Sequence, residues 1–122
     1  MALEGDLGAG KTELARSVIR ALAGEPIPVP SPTFTLLQVY ELSGLTVTHA
    51  DLYRLADPDE VAELGLEEAW ADGALLVEWP ERAGVLLLVE GLTVTLRHVP
   101  GESPEAREVE IAGPDRFTAL IP

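Results

Sequence analysis

The stretch Gly5-Asp6-Leu7-Gly8-Ala9-Gly10-Lys11-Thr12 constrains this chain more than any other. It fits the pattern G-x-x-x-x-G-K-[ST], the phosphate-binding P-loop. Gly5, Gly8 and Gly10 can take backbone angles that a Cβ would forbid. Successive N–H groups from Gly5 through Thr12 can then turn inward around a phosphate chain. Lys11 would reach the terminal phosphates as a point charge, and the Thr12 hydroxyl would ligate Mg2+. Such a loop sits between a buried strand and a helix whose positive end faces the same phosphates. It therefore implies an α/β fold. Lys11 is the single lysine of the chain, since the eight basic residues comprise it and seven arginines.

A length of 122 residues suits one domain. The 47% hydrophobic content is enough for a core. Twenty-one acidic residues against eight basic ones give a formal net charge of −13. That balance argues against free-standing affinity for nucleic acid, which needs a basic face to displace counterions. Any contact with RNA is expected to be indirect, through a partner protein. The absence of cysteine excludes disulfides and thiolate metal sites. The longest apolar run, Val85 to Val89, is too short to span a bilayer, and no signal peptide is evident. The expectation is a cytoplasmic protein without membrane attachment.

Along the chain, only Ala2-Leu3-Glu4 lies between Met1 and the P-loop. Either the feeding strand is very short or the chain as given lacks its natural start. Thr12 to Ala23 reads as a helix, with Leu14, Val18, Ala21 and Leu22 repeating on one face, Ala15 and Ile19 widening it, and Gly24 placed to end it. Pro26, Pro28, Pro30 and Pro32 alternate with other residues and enforce an extended segment. Phe34 to Leu42 and Leu45 to Ala50 read as strands joined by a turn at Ser43-Gly44. Asp57 and Pro58 open a short helix, with Glu60 completing a capping box, and Gly65 ends it. Leu66 to Trp70 reads as a further turn or two of helix, stopped by Gly73. The apolar run from Ala74 to Val77, ending in Glu78-Trp79-Pro80, fits a strand covered on both faces. Leu92 to Leu96 and Glu108 to Ile111 read as an antiparallel hairpin closing the far side of the sheet. The predicted fold is thus a P-loop NTPase-like three-layer sandwich with a mainly parallel central sheet.

In open α/β sheets the ligand lies at the carboxyl ends of the strands. Asp51 and Glu78 each end an apolar strand, as the P-loop follows its own. A magnesium–nucleotide site needs a carboxylate near the metal and a group to orient the attacking oxygen. Asp51 suits the first role and Glu78 the second, with a possible share in the metal. The plainer alternatives are a turn-capping aspartate and a strand-end acid. Thr33, with Ser31, stands where many P-loop proteins place a phosphate-sensing switch. Trp79 follows Glu78 and could lie by the nucleotide or simply pack. Arg54 could neutralise phosphate or pair with an acid. His49 alternates with Val47 and reads as structural.

Four stretches carry a resemblance. They are Leu3 to Thr12, Ser31-Pro32-Thr33-Phe34-Thr35, His49-Ala50-Asp51-Leu52-Tyr53-Arg54-Leu55, and Val77-Glu78-Trp79-Pro80-Glu81. In this order and spacing they are similar to the TsaE (YjeE) family of small bacterial ATPases. The resemblance implies that Lys11 and Thr12 bind ATP phosphates and Mg2+, that Asp51 takes a Walker-B-like role, and that Glu78 is needed for hydrolysis. It further implies a switch over Ser31–Phe34 and a place for Trp79 near the nucleotide. The implied partners are TsaB and TsaD, which together transfer a threonylcarbamoyl group to adenosine 37 of tRNAs reading ANN codons. Hydrolysis in the family's ATPase resets that complex between turnovers. Family members carry a longer N-terminal leader, including the strand that feeds the P-loop, so the chain as given is expected to bind nucleotide weakly or not at all. Two other readings stay open on the residues alone: a small P-loop kinase, and a nucleotide-binding or interaction module without turnover.

Overall fold

The structure, a computed structural model, describes residues 1–32, 36–55, 57–87 and 91–115. Six strands form one sheet: β1 (Ala2–Gly5), β2 (Leu37–Leu42), β3 (Leu45–Asp51), β4 (Ala74–Glu78), β5 (Thr93–His98) and β6 (Arg107–Ala112). Their spatial order is β2-β3-β4-β1-β5-β6. The four central strands, β3, β4, β1 and β5, run parallel, and β2 and β6 are antiparallel edges. The expected mainly parallel sheet with an antiparallel C-terminal hairpin is what the chain forms. The four residues of β1 occupy its centre, where Leu3 is fully buried.

Helices cover both faces. Helix α1 (Lys11–Ala23) packs Ala15 and Ile19 on Leu3, Val47, Leu76 and Val94. On the opposite face, α2 (Val61–Leu64) and α3 (Leu66–Asp72) pack Val61 and Leu66 on Ala50, Leu75 and Val77. Consecutive residues Leu75, Leu76 and Val77 thus enter different cores, because side chains alternate along a strand. This is why β4 reads as an unbroken apolar run. Asp57 Oδ1 accepts the Asp59 N–H at 2.9 Å and caps a 3-10 turn over Pro58–Glu60 that leads into α2. Gly65 (φ 70°) and Gly73 end α2 and α3.

Helix α1 ends at Gly24 as its sequence suggests, with φ 74° and an N–H to the Arg20 carbonyl at 3.0 Å. Of the expected apolar stripe, Ala15 and Ile19 are buried and Leu14 and Val18 pack against the same core; its C-terminal part differs. Lys11 is also buried, whereas Ala21 and Leu22 are exposed. Polar tethers that hydrophobic periodicity does not register also hold the helix. Lys11 is drawn into the P-loop. On the flank, Arg16 Nε donates to the Val29 carbonyl at 2.7 Å and Arg20 Nε to the Ile27 carbonyl at 3.0 Å. These two arginines lash the proline-rich segment to the helix. The proposed switch residue Thr33, with Phe34 and Thr35, lies outside the described residues, as does the tail from 116 onward.

Candidate functional site

The carboxyl ends of β1, β3 and β4 open into a cleft of about 460 Å³. It is lined by Leu7, Gly8, Gly10, Lys11, Thr12 and Glu13, by Asp51, Tyr53 and Arg54, and by Glu78 and Trp79. Parallel pairing places Asp51 opposite Glu78 in register, and Leu3, two residues before Gly5, opposite Glu78 on the other side. Sheet order therefore brings the loop and both carboxylates together. Gly5 has φ 148°, and a Cβ there would meet the Leu96 carbonyl oxygen at 2.6 Å. Gly10 is the N-cap of α1 at φ 109°, with no side chain capping the helix. The first-turn N–H groups of α1 carry no side-chain cap, as an anion site requires.

Lys11 is buried, and its Nζ donates to the Gly5 carbonyl at 2.5 Å and the Asp6 carbonyl at 3.0 Å. The Trp79 ring covers the same ammonium, its centroid 3.9 Å away. Burial pushes the Lys11 ammonium below its ordinary pKa, and the negative field of Glu78, Glu81, Asp51 and Asp6 opposes that shift. Trp79 holds φ 59°, a conformation unfavourable for a bulky residue. It also rests against Tyr53, with ring centroids 4.9 Å apart.

Glu78 is gripped from two sides. The Thr12 hydroxyl donates to Oε1 at 2.6 Å, and His49 Nε2 lies 2.7 Å from Oε2. His49 is 0% exposed and Glu78 2%, so neither can exchange this contact for water. Since a carboxylate only accepts, Nε2–H is the donor. Nδ1 is buried without a partner among the described residues. The reading of His49 as a core residue accounts for its burial but misses this bond. The signal was there: His49 stands two residues before Asp51, so strand periodicity puts both on the face that carries Glu78.

Asp51 Oδ1 accepts the Tyr53 N–H at 3.0 Å, so the residue does cap a turn as well as line the cleft. Its own N–H donates to the Leu36 carbonyl at 2.9 Å, and the Leu36 N–H to the Pro32 carbonyl at 2.7 Å. Leu36, and through it Pro32, is thereby tied to the end of β3. Arg107, in β6, donates to the carbonyls of Ala9 at 2.8 Å and Gly8 at 3.4 Å. Nothing in the sequence marks that contact. Among the described residues no group of three or more His, Cys, Asp or Glu is placed to hold a metal ion by itself, and no helix is long and apolar enough to cross a membrane.

A family model described as "Threonylcarbamoyl adenosine biosynthesis protein TsaE" matches residues 1–109. The chain is 52% identical over 79 residues to the tRNA threonylcarbamoyladenosine biosynthesis protein TsaE of Rickettsia conorii, covering 65% of this chain and 45% of that protein. It is 37% identical over 110 residues to the Haemophilus influenzae protein of the same name, covering 89% of this chain and 66% of that one. The crystal structure of Bacillus subtilis YdiB superposes with a TM-score of 0.68 at 29% identity, over 98% of this chain and 71% of that one. The chain thus spans about half to two thirds of the length of these TsaE relatives. With the phosphate loop, the two facing carboxylates and this match in agreement, the chain belongs to the TsaE family.

Proposed function

We propose that this chain binds ATP with Mg2+ and hydrolyses it in support of threonylcarbamoyladenosine formation in tRNA. The observation that carries the reading is the convergence of Lys11, Thr12, Asp51 and Glu78 on one cleft. The relatives' name, tRNA threonylcarbamoyladenosine biosynthesis protein, supports the process. The residues from Gly5 to Thr12 would wrap the phosphates, and Lys11 would exchange its bonds to the loop carbonyls for bonds to phosphate oxygens. Thr12, Asp51 and Glu78 offer the hard oxygen donors that Mg2+ takes, with the nucleotide supplying the rest. When bound, the ion supplies charge neutralisation on the phosphate oxygens.

Glu78, held by His49, is aimed as the group that orients a water molecule and takes its proton. The water oxygen bonds to the γ-phosphorus, the bond to the leaving ADP oxygen breaks, and ADP and phosphate depart. Trp79 and Tyr53 wall the cleft and limit water beside it. The partner is the TsaB–TsaD complex, reset by hydrolysis, and the net charge of −13 suits a subunit that does not itself grip tRNA.

The test is phosphate release from ATP, with and without TsaB–TsaD, for the native chain and Glu78→Ala. Stimulation by the partners that disappears in the variant is the expected result. No turnover under any condition would leave a nucleotide-binding or interaction module. Phosphate passed to a small acceptor would make the protein a kinase.

A further inference from the structure

Arg107 lies nearly a hundred residues from the phosphate loop in sequence, yet its guanidinium ends against that loop. Its Nη1 is anchored at home, on the carbonyls of Pro104 at 2.6 Å and Ala106 at 2.9 Å. The other side of the fork reaches across to Ala9 and Gly8. Arg107 is half-buried, and a fork fixed on one side loses little freedom in bonding on the other.

The two loop carbonyls belong to consecutive peptide planes. In the first, the Gly8 carbonyl accepts from Arg107 and the Ala9 N–H donates to the Asp6 carbonyl at 3.0 Å, so both edges are held. In the second, Arg107 Nε holds the Ala9 carbonyl. A trans peptide points its N–H opposite to its C=O. The Gly10 N–H is thereby directed away from the hairpin, and Gly10 lines the cleft. Gly10, at φ 109°, has no Cβ to restrict its rotation, so an outside tether is needed to keep that plane in one orientation.

We propose that Arg107 is a positioning residue, which sets the peptide planes of Gly8 to Gly10 so that the Gly10 amide is presented to a nucleotide's phosphates. The proposal rests on the nucleotide reading of this cleft. It assigns the C-terminal hairpin a part in phosphate binding.

The test uses the full chain and Mg-ADP titrated by calorimetry, with amide NMR of the free protein. Arg107→Ala is expected to weaken Mg-ADP binding about tenfold and to shift the Gly10 amide resonance without nucleotide. Arg107→Lys keeps the charge but not the fork and is expected to weaken binding similarly. Arg97→Ala, which removes only the exposed hairpin pair with Glu110, is expected to bind as the native chain does. Native affinity in Arg107→Ala and Arg107→Lys would overturn the proposal, as would an equal loss in Arg97→Ala. Should the native chain bind no Mg-ADP, the nucleotide reading falls. The loop-setting role is then upheld by a Gly10 shift in the arginine variants, or overturned by its absence.

Discussion

His49 and Glu78 meet 2.7 Å apart in the buried floor of the cleft, Nε2 against Oε2. The partner left behind by any change at either position would be a buried polar group with no water to replace the lost bond. A carboxylate at this position is oriented more rigidly by an imidazole from the neighbouring strand than by mobile solvent.

Replacing His49 by alanine should therefore cost about 3 kcal/mol of stability, from the lost bond to a charged group and the cavity. Urea denaturation measures it. His49→Gln keeps a donor and should recover part of both stability and ATP turnover. Equal turnover in native protein and His49→Ala would show that Glu78 does not depend on this contact.

Trp79 packs over the Lys11 ammonium, so phosphate binding at Lys11 must alter the surroundings of its indole. In a Trp70→Phe background, Mg-ADP should change the emission of Trp79 in a saturable way. Lys11→Ala should abolish that change and weaken binding on the order of a hundredfold, the worth of one charge-assisted hydrogen bond. A flat fluorescence titration alongside calorimetric binding would place the nucleotide elsewhere.

Gly73 offers a test of the fold apart from the chemistry. Its backbone is extended, but a Cβ there would meet the Thr46 carbonyl oxygen at 2.2 Å. Gly73→Ala must push β3 away from the end of α3. A loss of about 2 kcal/mol is expected, in the range for overpacking, read from the denaturation midpoint. Nucleotide affinity in the surviving folded protein should change little.

Much of the architecture was legible in the residues. The P-loop, the three strand ends and the apolar run before Glu78 each follow from local rules: glycine where φ is positive, alternation along a strand, a helix stopped at glycine. Even the meeting of Asp51 with Glu78 follows once parallel strands are assumed, because the site lies at their carboxyl ends. On α1 periodicity placed Leu14, Ala15, Val18 and Ile19 toward the core correctly and erred at Ala21 and Leu22, which are exposed, and it gave no sign of the polar bonds made by Lys11, Arg16 and Arg20.

The sequence by itself determined that a glycine-rich loop would be followed by a helix and faced by acids. Strand alternation put His49 on the face of Asp51, but tertiary structure decided that it would bond Glu78 and that Arg107 would reach Gly8 and Ala9. Local spacing governs groups within a turn or a strand of one another. Contacts across 29 and 98 residues exist only after the order β2-β3-β4-β1-β5-β6 and its registers have been set by burial of both sheet faces.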